Sequence, residues 1–581
     1  LALWFKFVTP SQLSLWGASV FLGLSAVPFL YWAFRQLTDQ PTALTALFLI
    51  AIMRWHITYS RNAHPAIEIL IYLSGTLALW LYAHRTRKML AFLLAGFICG
   101  LGLYSYQAYK PFLLVMALYA VYEWVRSPIP RNLTKPYILF FFAVSAISEP
   151  VWLGWIRSWN LDAREKELLA FPQVYRMGGV PGVLHQVMGT ALAFNRQGDS
   201  WCIHNLPYHA LLDDGTGILF LLGLGGALYG IKERANFYAS IGFLVMCLPA
   251  FLSIAPAHAS RLFGTIPFIA LLGARTLVAF YGMTLGLFPR GKSIGAWIFL
   301  SGFMAFCAFQ NFWVYFEVQA KNKDCWRAQG GAETSWIGNS VSRLGKDYSF
   351  LVCSRFYGNY TVGFLAFDQR EAVYPLNLPP DFDWTALPRE KGICIVLDEG
   401  HQGILRLFQT LYPGGITETF RDLNGNPIAY QYRLTTAQWA RSRNLPRHYG
   451  LQATYRGSGE PGTIENIAKI DPVLNFTFRN DFPIRRFPPL RAHWEGKLAV
   501  PRAGTYTFMI LTSDDGTLDL DGKRRIGSGQ VESENLSLGR GLHEVQADFQ
   551  KVKGTDAAFT LLWKKPGDDK YEVIPVTALR R

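Results

Sequence analysis

The sequence predicts a multi-span α-helical membrane domain, followed by a small α/β domain and a C-terminal all-β sandwich. Three observations carry that prediction. From Leu13 to Phe316 the chain is a series of apolar runs with short polar breaks, whereas beyond about Lys321 its composition is that of ordinary water-soluble protein. Between 321 and 440, strand-like runs such as DYSFLVCS and KGICIVLD alternate with helix-like segments such as SWIGNSVSRLG and HQGILRLFQTLYPG. After 447, period-two alternation dominates, as in GTYTFMILTS. With 581 residues, 51% hydrophobic and 17% charged, the chain is long enough for three or four domains.

A helix needs roughly 20 mostly apolar residues to cross a bilayer. Ten stretches are candidates, near 13–34, 41–55, 66–83, 89–105, 111–125, 137–157, 216–231, 236–255, 262–288 and 294–316. Ten spans alternate sides and divide the gaps into two sets. Arg35–Gln40, His84–Lys88, Arg126–Pro136, Ile231–Ala235 and Pro289–Lys292 are all basic. Arg54–Pro65, Ser105–Lys110, Ser158–Gly215 and Pro256–Arg261 form the other set, whose short gaps are poorer in Lys and Arg. Cytoplasmic loops carry the positive excess, so the first set is expected in the cytoplasm and the soluble half outside it. The net charge of +15 lies largely in these gaps, with no basic repeat or stacking module, and does not suggest nucleic acid as a partner. The 7 cysteines include no CxxC and point to neither a zinc site nor a disulfide framework.

One gap breaks the charge rule. RWHITYSRNAHP, residues 54–65, places two arginines and two histidines on the outer side. With Lys110, His258 and Arg261 they form a set of cations expected at the outer boundary. A lipid phosphate is one partner for them. Headgroup snorkelling, or pairing with Glu68 and Glu149, is the other.

HITYSRNAHPAIEIL, GLGLYSYQAYKPFLL, GDSWCIHNLPYHALLDDGTGILFLLGLGGAL, SRLFGTIPFIALLGA and YFEVQA resemble, in order, the landmarks of bacterial GT-C glycosyltransferases. The resemblance is to the family 39-like, protein O-mannosyltransferase and aminoarabinose-transferase type, and covers about residues 1–320. It implies a polyprenyl-phosphate sugar donor, and a glycan, lipid or protein acceptor on the outer face. It also implies a bacterial cytoplasmic membrane, and leaves room for a divalent metal in the transfer. Arg54, Arg61, His64, Lys110 and Arg261 would then bind the donor phosphate, a role suited to bidentate Arg. Asp199, His204, Asn205 and Asp213 match the family's Gly-Asp…His-Asn…Leu-Asp pattern and would bind sugar or acceptor. Asp213-Asp214-Gly215 also reads as a helix cap. By this resemblance residues 1–12 are the tail of the first outer loop, and the general-base carboxylate is expected upstream of Leu1. Asp39, expected on the cytoplasmic side, cannot replace it.

A polar linker, RSRNLPRH, precedes the last domain. Over Gly450–Thr577 the Gly-Leu-x-Ala-x-Tyr opening, Trp-x-Gly, Gly-x-Tyr-x-Phe and Ser-Asp-Asp-Gly…Asp-Gly-Lys closely resemble the protective-antigen-like domain. That resemblance implies carbohydrate binding. In the family's calcium-dependent lectins two consecutive aspartates hold Ca²⁺, and Asp514 and Asp515 occupy that place. In metal-free relatives the same residues build a turn. Three functions follow: a membrane glycosyltransferase with a glycan-binding module, a membrane-anchored carbohydrate-binding protein without activity, or a lipid-linked glycan exporter. The first is expected. The third calls for polar residues inside the spans, and few are present.

Overall fold

The computed structural model describes residues 4–8, 11–127, 129, 131–157, 171–253, 257–287, 293–327, 331–376, 387–388, 390–442, 449–458, 464–476, 487–551 and 557–581. Two compact units divide the chain, Leu1–Gln329 and Gly330–Arg581.

All ten apolar stretches of the first unit fold as helices over most of their length. Among the described residues, six helices are long and apolar enough to cross a membrane. A seventh span is a bent pair, Gln40–Ile52 and Arg54–Arg61, whose axes meet at 59°. Met89–Gly102 and Asp214–Tyr229 are apolar but shorter than those spans. The tenth stretch folds as Phe112–Arg126, a 15-residue helix. Two elements differ from the sequence reading. Arg54–Arg61, expected as an outer gap, is a helix. Within the long outer stretch, Phe171–Leu192 is a helix that kinks at Gly179, where φ is 57°.

Small residues let these helices touch. Gly96 and Gly100, spaced as in GxxxG, face Arg131–Arg157. A Cβ on Gly96 would fall 2.3 Å from the Phe140 carbonyl oxygen, and one on Gly100 would fall 2.9 Å from Ile147. In lipid, such close backbone approach supplies the packing that water would otherwise drive. Among the described residues, polar contacts gather at two separate ends. Arg234 pairs with Glu123 at 2.6 Å, Arg275 pairs with Glu233, and Tyr122 donates to the Lys232 carbonyl, all at one end of the bundle. The segments carrying Arg54, Asp199, His258 and Asn311 meet at the other end.

The second unit holds both soluble folds. Strands β1 (Tyr348–Val352), β2 (Val373–Pro375), β3 (Gly392–Asp398), β4 (Ile416–Arg421) and β5 (Pro427–Leu434) form one sheet in the order β2-β1-β3-β5-β4. The first three are parallel, as DYSFLVCS and KGICIVLD suggest. The antiparallel edge β5-β4, closed by an Asn-Gly turn at 424–425, adds to that expectation. Helices Gly331–Leu344 and Gln402–Leu411 accompany it. Cys353 and Cys394, in the two best strand runs, are free buried thiols.

The sandwich comprises β6 (Leu451–Ser458), β7 (Ile464–Asp471), β8 (Asn475–Phe476), β9 (Phe487–Val500), β10 (Gly504–Thr512), β11 (Asp515–Leu520), β12 (Lys523–Ile526), β13 (Leu536–Leu538), β14 (Gly541–Lys551), β15 (Phe559–Lys564), β16 (Glu572–Val573) and β17 (Leu579–Arg580). One sheet runs β12-β11-β14-β9-β6-β7 and the other β13-β10-β15-β16. Trp494 lies at the centre, stacked on Phe559 with ring centroids 4.8 Å apart. Val473 and Val576, from the sandwich segment, belong to the α/β core, which explains why the two folds form one unit. The linker residues 443–448 lie outside the described residues.

Asp471 is the buried polar centre of the sandwich. Its Oδ2 accepts from Trp494 Nε1 at 2.7 Å and from the Tyr455 hydroxyl, while Lys469 pairs with its Oδ1 at 3.1 Å. Asp471→Ala strands all three groups. A loss of about 3–5 kcal/mol is expected, the range for removing one partner of a buried pair. Denaturant unfolding followed by tryptophan fluorescence measures it, and an unchanged midpoint contradicts this role.

Candidate functional site

The site builds up from Arg54, the first residue after the bend between Gln40–Ile52 and Arg54–Arg61. It is 3% exposed. Its backbone N–H donates to Asn311 Oδ1 at 2.7 Å. Its guanidinium donates to Asn205 Oδ1 and the Ala210 carbonyl, each at 2.5 Å, and to Gln319 Oε1 at 3.2 Å. Asp213 supplies the nearby countercharge. Arg54 thus fastens the bent span to the 199–213 loop and to the last span. A buried cation needs such a full set of acceptors.

The same network engages Asn205 and Asp213. Asn205 Nδ2 donates to the His209 carbonyl at 2.6 Å. Asp213 caps helix Asp214–Tyr229 through Thr216 N at 2.9 Å and accepts from Asn311 Nδ2 at 2.7 Å. The cap reading suits Asp213 itself. Asp214 accepts from Gln310.

The loop held in this way presents Asp199 and His204. His204 Nδ1 lies 3.2 Å from Asp199 Oδ2, and His258 Nδ1 lies 3.7 Å from the same oxygen. Ala259 N and Trp201 N donate to the carboxylate at 2.9 Å and 2.8 Å. Burial works against the charge on Asp199, but the His204 hydrogen bond, the neighbouring His258 and the two amides outweigh it and hold the carboxyl below its usual range. Burial pushes His258 down to about 4, so it is neutral near pH 7. A carboxylate this well solvated by donors is a poor proton acceptor and a good anchor for imidazoles.

Aromatic faces surround the cluster. His204 stacks between Trp201 and Tyr59, with centroids 6.0 Å and 5.9 Å away. His64 meets His204 edge-on at 5.3 Å and also contacts Tyr106. The Tyr106 hydroxyl reaches Ser260 Oγ at 2.8 Å, and Ser260 reaches His258 Nδ1 at 2.9 Å. Arg261 follows on the short helix Ala259–Leu262. Lys110 closes the turn Gln107–Tyr109, whose other cap is Tyr106. Arg61 lies apart, over the Tyr315 and Phe316 rings at 5.4 Å and 5.8 Å. With His56 and Ser60 it edges a cavity of about 400 Å³ whose other walls include Val20, Leu24 and Val27.

The ligand atoms of Asp199, His204 and His258 lie within 4.8 Å of one another. A carboxylate and two imidazoles fit a divalent ion that keeps an open position. In the second unit Asp514 is engaged otherwise. Its Oδ2 receives the buried Lys551 ammonium at 2.6 Å, and Asp515 Oδ1 accepts from Ser528 Oγ at 2.7 Å. A lysine ammonium therefore stands against the carboxylate that the resemblance assigns to calcium. Sequence reasoning missed His258 as a partner of Asp199, and it missed the Cys202–Cys325 disulfide, which joins residues 123 apart.

Residues 1–153 match the family model described as dolichyl-phosphate-mannose-protein mannosyltransferase. This is the group that the membrane half resembles in sequence. A comparison with curated proteins found no match. Among solved structures, the chain is similar to the archaeal oligosaccharyltransferase AglB from Archaeoglobus fulgidus in complex with an inhibitory peptide and a dolichol-phosphate. The identity is 11%, over 98% of this chain and 87% of that one, with TM-score 0.40. It is similar to ArnT from Cupriavidus metallidurans bound to undecaprenyl phosphate at 12% identity, over 74% and 86%, with TM-score 0.39. It is also similar to the PA14 sugar-binding domain from an RTX adhesin at 16% identity, over 23% and 99%, with TM-score 0.19. It spans 63% of the length of an anti-sigma factor domain-containing protein that it matches over 26% of its own.

Two outcomes follow from the clamp. Arg54→Ala leaves Asn205, the Ala210 carbonyl and Gln319 without their cation, so limited proteolysis should cut the 199–213 loop faster. Unaltered cleavage contradicts the clamp. Replacing both Cys202 and Cys325 by Ser should lower the thermal midpoint, since a closed loop of this length is worth roughly 2–5 kcal/mol. An unchanged midpoint removes the disulfide from the site's support.

Proposed function

We propose that this chain is an integral-membrane glycosyltransferase that moves a sugar from a polyprenyl-phosphate donor to an acceptor on the extracytoplasmic face. The observation that carries the reading is the cluster of His64, Asp199, His204 and His258, with Arg261 in the adjoining helix, among tyrosine and tryptophan faces at the end of the bundle opposite the basic gaps. The match of residues 1–153 to a mannosyltransferase family supports it.

In this reading Arg261, His64 and Lys110 receive the lipid phosphate and offset the charge that grows on it as the glycosidic bond breaks. Trp201 and Tyr106 offer flat faces to the sugar. The cavity edged by Arg61 takes part of the isoprenoid tail, with Arg61 at its polar rim. Arg54, Asn205 and Asp213 hold the loop in place and touch neither substrate. A divalent ion held by Asp199, His204 and His258 would add Lewis-acid stabilisation of the phosphate. The C-terminal sandwich would bind a glycan. With Asp514 paired to Lys551, that binding would not require calcium.

The test supplies the purified chain, reconstituted in lipid, with a labelled polyprenyl-phosphate sugar and measures released lipid phosphate. Release is expected, and Arg261→Ala should lower turnover about 10²–10³-fold, the usual effect of removing one charge-stabilising donor. Unchanged turnover in Arg261→Ala would remove the phosphate assignment, and unchanged donor affinity in Arg61→Ala would remove the tail cavity. Donor binding without release favours the alternative, a carbohydrate-binding protein on an inactive transferase fold. Glycan binding by the same chain should survive a chelator, and its loss would restore calcium at Asp514 and Asp515.

A further inference from the structure

A second cluster of ligating side chains lies in the α/β fold. Strands β1 and β3 are parallel neighbours, with Val352 opposite Val396. Cys353 follows the last residue of β1, and Asp398 is the last residue of β3. Cys353 N donates to the Val396 carbonyl at 3.0 Å, so both residues sit at the carboxyl ends of adjacent strands. The chain leaves β1 for β2 on one flank and returns to β3 on the other. In open parallel sheets this reversal opens a crevice at the strand ends, where ligands bind.

Three chemically distinct ligands converge there. The Cys353 thiol lies 4.0 Å from Asp398 Oδ2. His401, on the turn Glu399–His401, brings Nδ1 to 2.5 Å from Asp398 Oδ1. One ligand atom from each residue lies within 4.8 Å of the others. Cys353 and Asp398 are 2% and 7% exposed, and His401 is less buried. The backbone is fixed as well. Arg355, two residues beyond Cys353, bonds Glu399 at 2.8 Å and also Glu333, which ties the cysteine loop to the histidine turn. Asp398 Oδ1 accepts from Gly400 N at 2.9 Å, which holds that turn in shape.

We propose that Cys353, Asp398 and His401 form a binding site for a thiophilic divalent cation such as Zn²⁺. A thiolate, an imidazole and a carboxylate together suit zinc better than calcium or magnesium, which favour oxygen alone. Ligand atoms of a tetrahedral zinc lie roughly 3–4 Å apart, given bonds of about 2.0–2.3 Å. The observed separations bracket that range, so side-chain rotation alone completes the set. Water takes the fourth position. On binding, the thiol proton passes to solvent and the sulfur keeps the electron pair it donates to the metal. Asp398 and His401 then give up their mutual hydrogen bond and each bonds the cation.

Cobalt is the probe, because a thiolate ligand gives Co²⁺ a charge-transfer band that oxygen and nitrogen donors do not. The full chain, stripped of metal by chelator under non-reducing conditions, is titrated with Co²⁺. A thiolate band that saturates at one ion and is displaced by Zn²⁺ is expected. A cobalt ion at Asp199, His204 and His258 has no sulfur donor and is silent in this band. Cys353→Ser should abolish the band, and His401→Gln should weaken cobalt binding at least about tenfold, the scale on which even outer partners of a metal ligand act. Absence of the band in folded wild-type protein, or its survival in Cys353→Ser, overturns the site. If Cys353→Ser does not fold, unaltered affinity in His401→Gln overturns it.

Discussion

The membrane unit depends on one buried cation. Arg54 sits where the second apolar stretch bends, and its donors reach Asn205, Ala210 and Gln319, residues 151 to 265 positions away. A guanidinium removed from water costs several kcal/mol unless acceptors and a countercharge surround it. The surrounding loop provides both, with amide and carbonyl oxygens at hydrogen-bonding distance and Asp213 nearby. The constraint acts in both directions. The loop is needed to keep Arg54 solvated, and Arg54 is needed to keep the loop in one conformation. A single geometry for Asp199, His204 and their aromatic neighbours is the consequence, the kind of preorganisation that the proposed headgroup site calls for.

The rest of the unit works toward the same end. Glycines at 96 and 100 allow two helices to touch along their backbones. The Cys202–Cys325 bond anchors the loop two residues before His204. Asp213 serves at once as helix cap, acceptor for Asn311 and countercharge. At the opposite end, the basic gap 231–235 is tied to two helices by ion pairs, Arg234 with Glu123 and Glu233 with Arg275. The second unit solves its polar problem similarly, with Asp471 buried among Tyr455, Trp494 and Lys469.

What could be read from the sequence was local. Apolar length marked the spans, period two marked the strands, and Asp-Asp-Gly marked a helix start. The helix Phe171–Leu192 escaped because Gly178, Gly179 and Pro181 interrupt it, and such residues usually signal a loop. Arg54–Arg61 escaped because its charges suggested water, while its acceptors came from far along the chain. The pairing of Cys202 with Cys325 could not be deduced from spacing. Histidine 258 was grouped with phosphate-facing cations by topology, yet burial keeps it neutral beside Asp199. The Cys353, Asp398 and His401 cluster had no motif at all, since only the parallel pairing of β1 and β3 brings its members together.

The most direct measurement of the central claim is an electron-microscopy structure of the chain in a lipid nanodisc with a polyprenyl phosphate bound. The account predicts phosphate density beside Arg261, His64 and the Asp199 cluster, with the Arg54 clamp unbroken. Phosphate bound at the opposite, basic end of the bundle, or gripped by Arg54 with its loop contacts released, would contradict it.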